Sequence, residues 1–483
     1  MKSISMLALA AVSTACLFVG CSSTKDDGDN GTAGGAGGGT KGSGGTKSSS
    51  AGETTTGGQM TTGGQTTGGE TAAGGETTAG GETGGTGKPI TACGDGAVIL
   101  GDPLYGDKPD AGKPKPAGQG TLVDPPVLPS GDIAVIGNKI FLNSEEEIWI
   151  GDLSGAAPQI KRLAGSRGSG KISAGDLPCK DTRFLVVHSL AATHDGKLAL
   201  VDYIGGAIIE ITDPTGPNCT SHWVAGTSTE TENPGGSDYP ANHGDVDGPG
   251  NMAKFGGDPN VTDIGGAGIH KIAADPDGNY YTWDEGTGKF RKIANDADRT
   301  VSTIGHVSPD DQVRGLTFLN GKLYAVANNS GSEDVLFEVD PGTYKATDTT
   351  TPTKNIKVVF RDNTDEAGNR FEEISGSGHT ALPGDLDNDG EALIMASALG
   401  FVWRITTDGT ATALAGSLGP LGPGRLEFDA DFDPTLPHPA SEWELVTRPS
   451  NADFSPWLAV DGGNLYWSGG TGIGEYVVKF GCH

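Results

Sequence analysis

The feature that most restricts this chain is a repeat that begins near Gly131. "HKIAADPDGNYYTWDEGTGKFRKIANDADRTVSTIG" (His270–Gly305) contains four short β-rich runs, near Ile272–Ala274, Tyr280–Trp283, Phe290–Ile293 and Val301–Ile304, separated by Asp, Gly and Asn turns. "HSLAATHDGKLALVDYIGGAIIEITDPTGPNCTSHWVAG" has the same order of strand, Asp-Gly turn, strand, turn, strand, loop, strand. So does "RGLTFLNGKLYAVANNSGSEDVLFEVD", which continues to "IKVVF". Weaker copies begin at "GDIAVIGNKIFL", "HTALPGDLDNDGEALIM" and "PWLAVDGGNLYW", giving six units. Helical periodicity is almost absent after residue 89, so the repeated domain is all-β.

"GDVDGPGNMAKF" (Gly244–Phe255), followed by "IHKIAADPDGNYYTWD" and "FRKI…VSTIG", resembles an NHL repeat, and "LAGSLGPLGPGRLEFD" (Leu414–Asp429) echoes the same segment between units. The resemblance implies four-stranded blades and a six-bladed β-propeller over 89–483. Such blades bury both faces against their neighbours, which accounts for strands rich in Ile, Val, Leu and Tyr. The last unit stops at "EYVVKFGCH", after its third strand, while "CGDGAVILGD" (Cys93–Asp102) is a strand without a unit. The N-terminal strand is therefore expected to complete the last blade, with a Cys93–Cys482 disulfide clipping the ring shut. Cys179–Cys219 follows by elimination, although the two cysteines nominally belong to opposite rims.

The N-terminus, "MKSISMLALAAVSTACLFVGCSS", has an apolar run too short to be a stable span. "LFVGC" resembles the lipobox of bacterial lipoprotein precursors, with Phe18 where such sites usually carry leucine. The resemblance implies a signal peptide over 1–20, cleavage after Gly20, and acylation of Cys21. It places the protein outside the cytoplasm, anchored in the outer membrane or at the cell surface, with the membrane as one partner. An ordinary secretory signal is the alternative. From 21 to 88 the chain is Gly- and Thr-rich with almost no large apolar side chain, a flexible tether with a reach of about 45 Å. An exported chain with four cysteines beyond the tether suits two disulfides. The net charge of −29 argues against nucleic acid as a partner.

One position in the repeat carries chemistry. The residue two before the leading apolar residue of each first strand is Gly131, His188, His270, Arg314, His379 and Pro456 in turn. Three of these six are histidine in a chain with nine. First strands of propeller blades lie innermost, so these side chains are expected to converge on one mouth of the channel. Three imidazoles leave an open site on tetrahedral zinc. Arg314 suits a carboxylate, and Tyr203, in the turn "VDYIGG", suits acid–base work on the same rim. "VVHSLAA" and "IHKIAADPDGNYYTWD" also resemble the histidine-bearing blades of peptidyl-hydroxyglycine amidating lyase, a six-bladed propeller with a three-histidine zinc site. Val187 and Ile269 replace the proline that precedes histidine in that motif. The same residues equally suit a binding surface for a protein or small ligand, with the histidines bonded to neighbouring carbonyls. Two function classes stay open: a recognition module, and a zinc lyase or hydrolase. "DLDNDG" places Asp385, Asp387, Asp389 and Gly390 at calcium-loop spacing, but Leu393 and Ala396 occupy the later ligand positions and the run equally suits a hairpin turn.

Overall fold

The computed structural model describes residues 89–101, 131–144, 146–155, 158, 160–166, 172, 176–226, 243–257, 268–308, 310–329, 333–363, 383–398, 400–417, 431–434, 436–445, 456–471 and 474–483. Cys21, His379 and the tether lie outside them.

The repeat forms six antiparallel sheets of four main strands. Blade 1 holds Ile133–Ile136, Lys139–Ser144, Glu147–Asp152 and Ile160–Gly165; blade 2 holds Val187–Ala192, Leu198–Asp202, Ala207–Thr212 and Thr220–Ala225. Blade 3 holds Ile269–Ala274, Tyr280–Asp284, Lys289–Ile293 and Val301–His306; blade 4 holds Asp311–Leu319, Lys322–Asn329, Glu333–Val339 and Ile356–Asn363. Blade 5 holds Pro383–Asn388, Leu393–Ser397, Phe401–Ile405 and Ala411–Gly416; blade 6 holds Trp457–Asp461, Asn464–Thr471 and Gly474–Cys482. In blades 2 and 3 the Asp-Gly turns are superposable in their bonding. Gly196 N–H donates to Thr193 O and Gly278 N–H to Asp275 O, each at 3.0 Å, and both glycines have φ of 79°, a left-handed conformation that favours glycine.

Six apolar clusters hold the ring, one at each blade interface. Phe141 and Ile148 of blade 1 pack with Leu190 and Leu200 of blade 2, and Trp283 and Phe290 of blade 3 pack with Leu316 and Ala325 of blade 4. The interfaces between blades 2 and 3, 4 and 5, and 5 and 6 have the same kind of core. The sixth cluster joins Trp457 and Tyr466 of blade 6 to Ile133 and Trp149 of blade 1, so the ring closes on itself. The protein is thus an all-β, six-bladed β-propeller.

Cys93–Gly101 is the fourth strand of blade 6. It runs antiparallel to Gly474–Cys482 with Cys93 opposite Cys482, and the two cysteines are disulfide-bonded. Cys179 and Cys219 are bonded as well. Their expected separation on opposite rims does not arise, because Leu177–Pro178 joins blade 2 as an outer fifth strand against Thr220 and Ser221. Cys179 then begins a short 3-10 turn beside the blade, with its N–H on Cys219 O at 3.0 Å.

Blade 5 differs from the sequence reading in register. Its first strand is Pro383–Asn388, so Asp385 and Asp387 lie within the strand and the turn falls at Asp389–Ala392. Their carboxylates receive main-chain N–H groups of blade 6: Leu458 on Asp385 at 3.0 Å and Val460 on Asp387 at 2.7 Å. Asp389 takes the N–H groups of Ile90, Glu391 and Ala392. Within this span, blade docking and turn closure account for all three aspartates.

Candidate functional site at the channel mouth

The inner strands of blades 2 to 5 share a local irregularity that fixes the rim. Strand pairing is interrupted between Val187 and Ser189, Ile269 and Lys271, Val313 and Gly315, and Pro383 and Asp385. The bulged residues are His188, His270, Arg314 and Gly384. A bulge swings one side chain out of the alternation of the strand, which is how a two-residue pattern delivers side chains to the mouth. Gly384 therefore stands in blade 5 at the position that sequence spacing assigns to His379.

Blades 2 and 3 bring three of the expected residues into one cluster. The His188 and Tyr203 rings stack with centroids 4.6 Å apart; His270 meets His188 edge-on at 4.6 Å and Tyr203 at 4.7 Å. Tyr203 sits in the turn after the second strand of blade 2, and its N–H donates to Val186 O at 2.8 Å. Gly268 leaves room for its ring: a Cβ there would lie 1.9 Å from Tyr203 Cδ2. His270 is 7% exposed, and its Nε2 lies 2.6 Å from Glu285 Oε2. Despite the short distance the pair does not meet hydrogen-bond geometry. Glu285 occupies in blade 3 the turn position that Tyr203 occupies in blade 2. Comparing "VDYIGG" with "WDEGTG" could have identified it from sequence.

Arg314 extends the site into blade 4, where its guanidinium donates to Gln312 Oε1. His188 is half-buried, and its basicity is held well below the ordinary histidine value by desolvation, then by His270, Lys271 and Arg314. It is neutral at neutral pH, free to accept a hydrogen bond or coordinate a metal. Among the described residues no group of three His, Cys, Asp or Glu side chains is arranged to hold a metal ion. They supply two imidazoles, packed edge to face, and do not by themselves fit a three-donor zinc site.

Directly along the strands from the rim lies a charged tier that sequence reasoning did not anticipate. Lys271 is 5% exposed. Its Nζ lies 3.2 Å from Asp385 Oδ1 of blade 5 and 3.7 Å from the ring centre of Trp457 in blade 6, so it spans the channel. Asp132 of blade 1 accepts from Ser189 Oγ at 2.7 Å and Leu190 N at 2.9 Å of blade 2. Burial raises the pKa of both aspartates; Asp385 raises Asp132 further, while Lys271 opposes the shift in both. Burial also pushes Asp387 up to about 7. A void of about 570 Å³, counted with its open end, is lined by this tier and the apolar residues beyond it, Leu190, Ile272, Leu316 and Leu386 among them. His188, His270 and Arg314 do not line it.

The acidic loop before blade 3 has a structural role. Asp245 and Asp247 receive the Arg291 guanidinium, which also reaches Asp284 Oδ2 at 3.2 Å. His243, near this knot, bonds Ile204 O at 2.9 Å.

Fold and mouth together define a β-propeller with a polar, aromatic rim on one end of its channel. No protein-family profile and no curated protein matches the chain. Among solved structures it is similar to virginiamycin B lyase from Staphylococcus aureus, at 13% identity and a TM-score of 0.39, over 75% of this chain and 97% of that one. It is also similar to a PQQ-bound aldose sugar dehydrogenase from Streptomyces coelicolor, at 13% identity and 0.39, over 82% and 100%. A luciferin-regenerating enzyme matches at 14% and 0.39, over 76% and 94%. Likeness at this level carries no argument about activity.

Proposed function

We propose that the protein is an exported, lipid-anchored receptor-like module that uses its propeller rim to bind a ligand or a protein of the cell envelope. The observation that carries this reading is the packing of His188, Tyr203 and His270 from two adjacent blades, with Arg314 in the third. His188 is the partly exposed member of this cluster, and it sets an imidazole within electrostatic reach of the Arg314 guanidinium. Acylation of Cys21 and the tether over 21–88 would hold it off the membrane. The test has two arms. A radioactive fatty acid fed to cells should label the full chain and not a Cys21→Ala variant. Native mass spectrometry of the propeller after incubation with envelope extract should show bound material that Tyr203→Ala and Arg314→Ala release. Unlabelled protein sinks the anchor; bound material indifferent to both rim substitutions sinks the rim.

A second reading is a zinc-dependent lyase or hydrolase using His188, His270 and His379. The observation in its favour is that adjacent blades bring the His188 and His270 rings together, with centroids 4.6 Å apart. Elemental analysis of the purified protein beside a variant with all three histidines changed to alanine decides it. Near-stoichiometric zinc, lost in a folded triple variant, would put this reading first.

A further inference from the structure

Blades 1 and 4 turn from first strand to second through the same two residue types in opposite order. In blade 1 Ile136 pairs with Lys139 across Gly137 and Asn138; in blade 4 Leu319 pairs with Lys322 across Asn320 and Gly321. Asn320 has φ of 51° and Gly321 φ of 79°, both left-handed, as a type I′ hairpin turn requires. The two asparagines differ in their surroundings. Asn138 Nδ2 donates to Asp152 Oδ1 at 3.3 Å, and the residue after it is Lys139, the first of a strand. Asn320 and Gly321 are both exposed. Neither the Asn320 amide nor the Gly321 N–H has a hydrogen-bond partner among the described residues. A Cβ on Gly321 would meet nothing within 4 Å, so the space beside this peptide is open. Among the described residues Asn320 is also the only asparagine followed by glycine.

We infer that Asn320, with its neighbour Gly321, is a modification site at which the protein deamidates through a succinimide to a mixture of aspartate and isoaspartate. Gly321 N attacks Asn320 Cγ. The N–Cγ bond forms as the Cγ–Nδ2 bond breaks, and Nδ2 leaves as ammonia with the proton that Gly321 N gives up. Glycine suits the step because no Cβ crowds the nitrogen. Solvent water then opens the ring. Opening at Cγ restores the ordinary chain with an aspartate; opening at the main-chain carbonyl routes the chain through the side-chain carboxyl as isoaspartate. Nothing is oxidised or reduced. Ring closure requires the turn to leave its left-handed form, and an exposed hairpin tip opens at low cost. The two products differ in fit. Aspartate is accepted in a type I′ turn, whereas isoaspartate adds a backbone atom and breaks the pairing of Leu319 with Lys322. Thr317, on the same strand, receives Asn388 Nδ2 of blade 5 at 2.8 Å, so a slipped strand pulls on the interface of blades 4 and 5.

The test is peptide mapping of the full chain after ageing in mildly alkaline buffer. Trypsin cuts out residues 315–322 as one peptide. That peptide should gain the mass difference between a carboxyl OH and an amide NH2 and split into two chromatographic forms. One of the two should accept a methyl group from an isoaspartyl methyltransferase. The peptide carrying Asn138 should stay unchanged, and Asn320→Ser should abolish the conversion. The isoaspartyl form of the intact protein should melt below the aspartyl form, and Asn320→Asp should melt with the latter. A 315–322 peptide that stays unchanged in the folded protein overturns the site; its conversion in the guanidinium-unfolded chain would then show that the turn protects it. Conversion of Asn138 at the same rate overturns the role given to the surroundings of the turn. Equal melting of the two forms overturns the misfit of isoaspartate.

Discussion

Gly268 and Tyr203 are shaped to each other across the interface of blades 2 and 3: a β-carbon on Gly268 would lie 1.9 Å from both Cδ2 and Cε2 of the tyrosine ring. The ring cannot stay in place if Gly268 gains a side chain. Gly268→Ala should therefore displace Tyr203 from its stack on His188 and lower rim binding sharply. Overpacking of this kind costs about 1–3 kcal/mol. Denaturant unfolding and ligand titration on the same sample separate the two effects. If binding survives intact in a folded Gly268→Ala protein, Tyr203 is not part of the site.

The blade count, the N-terminal closing strand and both disulfides were legible because each leaves a mark in one dimension. An unpaired strand at one end and a missing strand at the other imply each other, whatever lies between. The rim was legible in blades 2, 3 and 4, where an apolar run follows the bulged residue. It failed in blade 5 because Asp385 and Asp387 break the apolar run of the inner strand. They do so because they accept N–H groups from blade 6, a requirement between blades that the local pattern does not show. Lys271 was missed for a related reason. A lysine inside "IHKIAA" reads as solvated, and only the ring brings Asp385 and Trp457 to it.

That lysine carries a prediction. Lys271 and Asp385 are both buried, and removing one partner strands the other's charge. Lys271→Met should cost about 3–5 kcal/mol of stability. The double variant Lys271→Met with Asp385→Asn should recover much of the loss, since neither charge then remains to be paired. Guanidinium unfolding of the four proteins in the cycle measures the coupling. Additive losses would show that the two side chains do not act as a pair.

The disulfide between Cys93 and Cys482 closes a sequence separation of 389 residues and ties the two ends of blade 6. Cys93→Ser with Cys482→Ser should lower stability by about 2–5 kcal/mol, and the first event on heating should be release of the closing strand. Hydrogen exchange should then show early loss of protection in Cys93–Gly101, ahead of blades 2 to 4. Uniform loss across all blades would mean that the ring opens elsewhere.

The buried aspartates set a pH dependence whose sign can be worked out. Asp387 is pushed by burial up to about 7, and Asp202 and Asp284 by burial to about 6. Each carboxyl has a folded-state pKa above its unfolded value, so between about pH 4 and 7 the folded protein binds more protons than the unfolded chain. Their contribution is complete below the unfolded pKa and is lost as pH rises through the folded one. The half-buried His188 acts in the opposite sense. Its lowered basicity makes the unfolded chain the better proton binder below the ordinary histidine value, so it disfavours folding as pH falls. Burial raises Asp132 and Asp385 in the same sense as these three and lowers His243 in the same sense as His188, so five carboxyls stand against two imidazoles and dominate. The melting temperature should fall between pH 5 and pH 8, and Asp387→Asn should flatten that slope while His188→Ala steepens it. A melting temperature that rises over the same range would show that the aspartates stay ionised in the folded ring and that the channel tier holds more compensating charge than Lys271 supplies.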